Sequence, residues 1–193
     1  MTRRLEADGR AIATLSLAPT AAVSVSGSTL VVTAAAGAKD NLAITHPSAS
    51  VLRVTDSPGG AYTGSGVQVG AGCTRSGDYT ANCSAAGITL VQVSSGDLID
   101  KMVNSTTFQS SLNGGAANDV LTGGSNKDTL TGGTGADVIK GMNGNDQLLA
   151  RDLTSDTTIN CDGGSTPGTA DNADLDLLPK DSSVSGCETV TRH

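Results

Sequence analysis

The sequence predicts an all-β protein, in which an N-terminal β-sandwich-like or irregular β module is followed by a short parallel β-roll, a form of β-solenoid. Aromatic residues make up only 2% of the chain, whereas 25 of its 193 residues are glycine. Such a composition suits the narrow aliphatic core of stacked strands better than a thick globular core. Short apolar segments alternate with turn residues, and a nonapeptide recurs from Asn113 to Leu149.

The chain divides into four parts by composition and pattern. Residues 1–22 have a basic start and an apolar stretch with small residues, as in a signal peptide, but Glu6, Asp8 and Arg10 interrupt the pattern. Both a cleaved signal peptide and a disordered arm therefore stay open. The remaining parts are an N-terminal β domain (23–95), the β-roll repeats (96–153) and an acidic, disulfide-closed C-terminal cap (154–193). No stretch approaches the ~20 apolar residues that a membrane-spanning helix needs.

Residues 23–95 read as short strands separated by turns. The segment "AVSVSGSTLVVTA" predicts a hairpin around Ser26, Gly27 and Ser28, because apolar and polar residues alternate on both sides of the turn. Further strands are predicted at "NLAITH", "SVLRVTD", "GVQVG" and "ITLVQVSS". The segment "GAGCTRSGDYTANCSAAG" predicts a loop or short hairpin that is closed by a disulfide.

The four cysteines form two close pairs in the sequence, Cys73 with Cys83 and Cys161 with Cys187. Three pairings are formally open, and spacing alone does not choose among them. The CxxC pairs and neighbouring histidines of zinc sites are missing, so disulfides are favoured and imply an oxidising, extracellular location. The alternative is four buried free thiols in a cytosolic protein.

The nonapeptide places two residue types in fixed columns. Its four copies are "GGAANDVLT", "GGSNKDTLT", "GGTGADVIK" and "GMNGNDQLL", starting at Gly114. The sixth position is always aspartate and the eighth is always a large aliphatic residue: Asp119, Asp128, Asp137 and Asp146, then Leu121, Leu130, Ile139 and Leu148. We expect a glycine-rich turn followed by a short strand whose aliphatic residue faces a thin core.

The recurring aspartates predict a site for a hard divalent cation. Successive turns lie on opposite edges of such a coil, so Asp119 should stack on Asp137, eighteen residues away, and Asp128 on Asp146. Carboxylates stacked about 4.8 Å apart repel each other unless a cation neutralises them. Calcium fits this role better than magnesium, because it tolerates irregular oxygen geometry. The alternative is that the aspartates are only turn residues.

Additional ligands are expected around these four aspartates. Backbone carbonyls near Gly115, Gly124, Gly133 and Gly135 should contribute, and weaker candidates are Asp100, Asp162, Asp171 and Asp174. The fourth position departs from glycine at Ala117 and Asn126, and alanine adopts left-handed backbone geometry at a cost. We therefore expect the middle turns to form the best sites.

The segment from Asn113 to Leu149 resembles the hemolysin-type, or repeats-in-toxin (RTX), calcium-binding nonapeptide repeat family. This resemblance implies a parallel β-roll with calcium held between turns, as in secreted bacterial proteins. The whole layout is similar to that of small secreted bacterial calcium-binding proteins.

The remaining features restrict the function class. The net charge is −7 and the basic residues are scattered, so nucleic acid is not an expected partner. No GxSxG, HExxH or GxxxxGK string occurs, His46 and His193 are isolated, and we predict that the protein is not an enzyme. The sequence predicts an extracellular module whose folding and rigidity depend on calcium. The alternatives are an adhesin-like protein whose N-terminal β domain binds a cell surface or a protein, and an accessory domain of a secreted enzyme.

Overall fold

The structure, a computed structural model, describes residues 21–57, 66–163, 168, 170–176, 181 and 183–193. These residues form eighteen strands in two nine-stranded mixed sheets, and none of them is helical, as predicted for an all-β protein. The described residues contain no helix that is long and apolar enough to cross a membrane. Most of the predicted signal peptide or arm, residues 1–20, lies outside the described residues.

The chain moves between the two sheets along its length. In chain order, the first sheet contains β1 (Ala21–Ser26), β2 (Thr29–Ala34), β5 (Gln68–Val69), β8 (Leu90–Gly96), β10 (Gln109–Ala116), β12 (Asp128–Thr134), β14 (Gln147–Ala150), β16 (Asn172–Leu175) and β18 (Thr189–Arg192). The second contains β3 (Asn41–Ser48), β4 (Val51–Asp56), β6 (Cys73–Gly77), β7 (Thr80–Ser84), β9 (Lys101–Ser105), β11 (Val120–Thr122), β13 (Val138–Met142), β15 (Thr158–Asp162) and β17 (Val184–Ser185).

Antiparallel hairpins dominate the N-terminal half. Strands β1 and β2 pair antiparallel up to Ser26 and Thr29, and Gly27 in the turn has a φ of +59°. The pairing confirms the predicted hairpin. Glycine suits this turn because it adopts positive φ without steric cost. Strands β3 and β4 form another hairpin, as do β6 and β7, in which Cys73 is opposite Cys83.

From β8 onward, successive strands alternate between the two sheets, and each pairs in parallel with the next strand of its own sheet. Within the repeats the register is eighteen residues: Leu112 pairs with Leu130, which pairs with Leu148. This is the predicted spacing. The parallel pairing also extends beyond the repeats, backward to β2 and β3 and forward to β17 and β18. Both sheets therefore continue from the N-terminal half through the repeats.

The core between the sheets consists of stacked aliphatic columns. All four eighth-position residues, Leu121, Leu130, Ile139 and Leu148, are fully buried, as the nonapeptide predicts. Parallel pairing extends each column to residues outside the repeat, such as Met102 on one side. Burial of each such side chain contributes roughly 1.5 to 3 kcal/mol, so the columns hold the two sheets together.

Two disulfides join Cys73 to Cys83 and Cys161 to Cys187, and none of the four cysteines is free. This pairing confirms the predicted disulfides, and the free-thiol alternative is wrong. The bonds link residues 10 and 26 positions apart. Closing loops of that size stabilises a fold by roughly 3 kcal/mol each on a loop-entropy basis.

Candidate metal sites

The turns between the sheets align at two edges. The first turn edge, where the chain passes from the first sheet to the second, carries Asp100, Asp119, Asp137, Asp156 and Asp181. The second turn edge, where it passes back, carries Ser110, Asp128, Asp146, Asp171 and Glu188. All four sixth-position aspartates therefore lie at turn edges, two at each.

A chain of hydrogen bonds runs along each edge. The backbone N–H of Asp119 donates to Oδ1 of Asp137 at 2.7 Å, and that of Asp137 donates to Oδ1 of Asp156 at 2.8 Å. At the second turn edge, the N–H of Asp128 donates to Oδ1 of Asp146 at 2.9 Å, and that of Asp146 to Oδ1 of Asp171 at 2.5 Å. One carboxylate oxygen thus holds neighbouring coils in register.

The other carboxylate oxygen has no such partner at most of these positions. Oδ2 is buried and accepts no hydrogen bond in six aspartates at the turn edges: Asp100, Asp119, Asp137, Asp146, Asp156 and Asp171. Burying a polar oxygen without a partner costs on the order of 1 to 3 kcal/mol, and an ionised one costs more. A repeated cost of this kind indicates that a ligand completes these positions.

Glycine at the first repeat position leaves space beside this oxygen. A Cβ placed on Gly114 would lie 2.5 Å from both Asp119 Oδ2 and the carbonyl oxygen of Gly132. At Gly141, a Cβ would come equally close to Asp146 Oδ2 and the Cys161 carbonyl. The nearest polar atoms are a carboxylate and a carbonyl oxygen, and the carboxyl group is buried, which suits a hard divalent cation. The residues therefore fit a calcium ion.

Asp128 differs from the other three repeat aspartates. Its Oδ2 accepts the N–H of Gly124 at 2.6 Å, while its Oδ1 accepts both the N–H and the hydroxyl of Ser110. The turn of this second nonapeptide has a different backbone conformation, in which neither Gly124 nor Asn126 has positive φ. The corresponding residues of the other repeats do have positive φ: Gly115, Ala117, Gly133, Gly135, Met142 and Gly144.

Burial changes the acidity of these carboxyl groups. Loss of solvent, together with neighbouring carboxylates, raises the pKa of Asp119, Asp146 and Asp156 to about 7. Burial also raises the pKa of Asp128, but only to about 6, because hydrogen bonds from Gly124 and Ser110 favour its ionised form. Burial therefore opposes ionisation of these four carboxyl groups when no cation is bound.

Several acidic residues at the turn edges were not identified from the sequence. Asp40 extends the first turn edge toward the N-terminus, since its N–H donates to Asp100 Oδ1 at 2.8 Å. Burial and the adjacent Asp56 raise the Asp40 pKa to about 8, and both of its carboxylate oxygens lack hydrogen-bond partners. Asp156 follows Asp137 by 19 residues, close to the repeat period, and was detectable by spacing. Asp40, Asp181 and Glu188 follow no fixed period.

The four weaker aspartate candidates lie in three different places. Asp100 lies on the first turn edge, and its N–H donates to Asp119 Oδ1 at 2.8 Å. Asp162 and Asp171 lie close together, with Glu188 beside them. Asp174 instead lies 3.5 Å from Nε2 of His193.

The carbonyls next to the carboxylates are those of first-position residues, whereas the carbonyls predicted from the sequence are near second- and fourth-position glycines. Gly132, Gly141 and Cys161 provide the oxygens that face the cradles of Asp119, Asp128 and Asp146. The four glycines named from the sequence have other contacts. Gly115 pairs with Gly133 across β10 and β12, the Gly124 carbonyl accepts the N–H of Asn143, and the Gly135 N–H donates to Asp152.

Comparison with known families agrees with this geometry. Residues 110–139 and 122–152 match the family model of the RTX calcium-binding nonapeptide repeat (4 copies). Neither the curated proteins nor the solved structures include a match to this chain. The match covers the two turn edges from Ser110 to Asp152 and confirms the resemblance seen in the nonapeptides. Residues 110–152 are therefore RTX calcium-binding nonapeptide repeats, and calcium is the ion that they bind.

Proposed function

We propose that the protein is an extracellular structural module in which calcium binding at the two turn edges completes the folding of a parallel β-roll. The observation that carries this proposal is the recurrence of a buried, unpartnered Oδ2 beside a first-position glycine. The strand order supports the β-roll, because strands alternate between the sheets with an eighteen-residue register.

The residues that would hold calcium are the aspartates with a free Oδ2, chiefly Asp119, Asp137 and Asp146, with the carbonyl oxygens of Gly132 and Cys161. Calcium, when bound, supplies positive charge and accepts about six to eight oxygen ligands. The chain orients each carboxylate through the N–H that binds Oδ1. Glycine at the first position keeps side chains out of the space.

Calcium binding and folding are coupled by the cost of burying these groups. Ionised carboxylates at the edges oppose the compact state, so any ion that binds only the folded chain adds its binding free energy to stability. Extracellular calcium modules bind with Kd of about 10⁻⁴ to 10⁻³ M. At tenfold excess over Kd, each independent site contributes about 1.4 kcal/mol. Several sites together reach a large part of the roughly 5 to 15 kcal/mol that stabilises a typical domain.

The extracellular location is supported by the two disulfides, which persist in oxidising compartments. A structural rather than enzymatic role is supported by the placement of the buried carboxylates. They are spread along two edges and each is bound to the backbone, instead of converging on one cleft. A partner for residues 23–95 stays a prediction.

The test is far-UV circular dichroism of the full chain in EGTA, titrated with calcium. We expect a gain of β signal with calcium and not with magnesium. Asp137→Asn should raise the calcium midpoint severalfold, because the amide keeps the Oδ1 acceptor but removes the anionic Oδ2. Asp128→Asn should shift it less, since Gly124 already binds that Oδ2.

The matched control is Asp78→Asn, which removes the same charge from an exposed turn between β6 and β7. Its titration should coincide with that of the unmodified chain. A spectrum that calcium leaves unchanged, with no heat of binding by calorimetry, would refute calcium-dependent folding.

A further inference from the structure

A cluster of three carboxylates lies at the C-terminal end of the second turn edge, outside residues 110–152. Asp162 ends β15, Asp171 precedes β16 and Glu188 precedes β18. One carboxylate oxygen from each lies within 4.8 Å of those of the other two. No Lys, Arg or His in the described part of the chain forms an ion pair with any of them.

The central carboxylate of this cluster is buried and incompletely satisfied. Asp171 has 0% of its surface exposed, its Oδ1 accepts the N–H of Asp146, and its Oδ2 accepts no hydrogen bond. The other two carboxylates are also oriented by the backbone. Glu188 Oε2 accepts the N–H of Asp171 at 2.7 Å, and Asp162 Oδ1 accepts the N–H of Gly168 at 3.1 Å. Three carboxyl groups thus lie close together, and one oxygen of the buried Asp171 has no hydrogen-bond partner.

The ligand set differs from that of the repeats. In the parallel register of β13 and β15, Asp162 occupies the position of Met142, the second residue of the fourth nonapeptide. A carboxylate therefore stands where the repeats carry glycine or methionine, and a glutamate replaces the aspartate of the next coil. The repeat turns combine one carboxylate with backbone carbonyls, whereas this cluster offers three carboxylates.

A disulfide fixes the backbone beside two of the three groups. Cys161 immediately precedes Asp162 and Cys187 immediately precedes Glu188, and these cysteines are bonded to each other. The bond connects two segments that are 26 residues apart in the chain. Their carboxylates are therefore brought together before any ion binds, which lowers the conformational entropy lost on binding.

We propose that Asp162, Asp171 and Glu188 form an additional calcium site outside the repeats, and that its affinity depends on the Cys161–Cys187 disulfide. Oxygen ligands and high negative charge select a hard divalent cation, and irregular spacing favours calcium over magnesium. Asp171 and Glu188 lie on the second turn edge but outside residues 110–152, so this site adds to the calcium binding of the repeats and is tested separately from it.

The test measures the number and affinity of bound calcium ions on the full chain, by calorimetry and equilibrium dialysis with calcium chloride alone. Glu188→Gln keeps an acceptor for the Asp171 N–H but removes one anionic ligand. We expect it to lose one bound calcium, or to weaken one site at least tenfold, while the calcium-dependent β signal of the repeats persists. Asp162→Asn should give the same result, and Asp78→Asn should give none.

Unchanged stoichiometry and affinity in both Glu188→Gln and Asp162→Asn would overturn the site. The double variant Cys161→Ser, Cys187→Ser tests the disulfide separately. We expect severalfold weaker binding at this site with the other disulfide intact, and unchanged affinity would overturn the dependence on the bond. Failure of calcium-driven repeat folding would instead remove the circular dichroism transition. The loss of binding caused by Glu188→Gln would still be measurable.

Discussion

In three of the four repeat aspartates, Asp119, Asp137 and Asp146, one carboxylate oxygen accepts a backbone hydrogen bond and the other accepts none. In Asp137, Oδ1 accepts the N–H of Asp119, whereas Oδ2 faces the space beside Gly132 without a partner. From the sequence alone, these aspartates were either turn residues or metal ligands. In the structure, Oδ1 accounts for the turn interaction and Oδ2 is the oxygen left for a ligand. A substitution by asparagine therefore separates the two roles, while alanine removes both.

Backbone strain at Ala117 gives a prediction for stability. Ala117 has a φ of +86°, at a position where Gly135 and Gly144 occupy the same turn. Left-handed geometry costs an alanine roughly 1 to 2 kcal/mol relative to glycine. Ala117→Gly should therefore raise the free energy of unfolding by about 1 kcal/mol in calcium, measured by urea denaturation.

The matched control for this variant is Ala136→Gly in the third nonapeptide. Ala136 does not have positive φ, so glycine there only adds freedom to the unfolded chain and should destabilise by roughly 0.4 to 1 kcal/mol. Equal effects of the two substitutions would contradict the argument from backbone strain.

The turns were predictable from the sequence where the nonapeptide is regular. The eighteen-residue register, the buried eighth position and the two edges of aspartates all follow from the fixed spacing of glycine, aspartate and leucine. The different turn at Gly124 and Asn126 was not predictable from the nonapeptide, nor were the hydrogen bonds from Ser110 in the preceding coil to Asp128. Asp40 and Glu188 were missed because intervening turns of variable length remove the period.

The role of the first-position glycine in each turn can also be tested by substitution. A Cβ at Gly114 would fill the space beside Asp119 Oδ2 and press against the Gly132 carbonyl. Gly114→Ala should therefore weaken calcium binding by calorimetry and destabilise the fold by roughly 1 to 3 kcal/mol through overpacking. Gly77→Ala is the control, since its Cβ would lie 3.9 Å from the nearest atom. Full calcium affinity in Gly114→Ala would show that the space is not used.

At the scale of the whole molecule, the two turn edges concentrate negative charge along one continuous pair of sheets. The first edge extends from Asp40 through the repeats to Asp181, well beyond the matched family segment. Eleven of the chain's 19 Asp and Glu residues are buried in the described part of the structure. Stability should respond to protons and calcium as competing ligands of the same carboxylates.

The competition predicts opposite effects of pH with and without calcium. Burial raises the pKa values of Asp119, Asp146 and Asp156 from 3.8 to about 7, and that of Asp40 to about 8. A carboxyl group whose pKa is higher in the folded than in the unfolded state stabilises the fold when it is protonated. This contribution is complete below the unfolded-state pKa and is lost as pH rises through the folded-state pKa. In EGTA, the melting temperature should therefore be higher at about pH 5 than at about pH 8.

Saturating calcium should reverse this order, because the ion binds the deprotonated carboxylates and its affinity falls as protons replace it. Thermal melts followed by far-UV circular dichroism at both pH values, with EGTA or calcium, measure the effect. The double variant Asp119→Asn, Asp146→Asn should reduce both pH dependences, since two of the titrating groups are gone, and Asp78→Asn should preserve them. A melting temperature in EGTA that rises with pH would show that the buried carboxylates do not control the stability of the calcium-free fold.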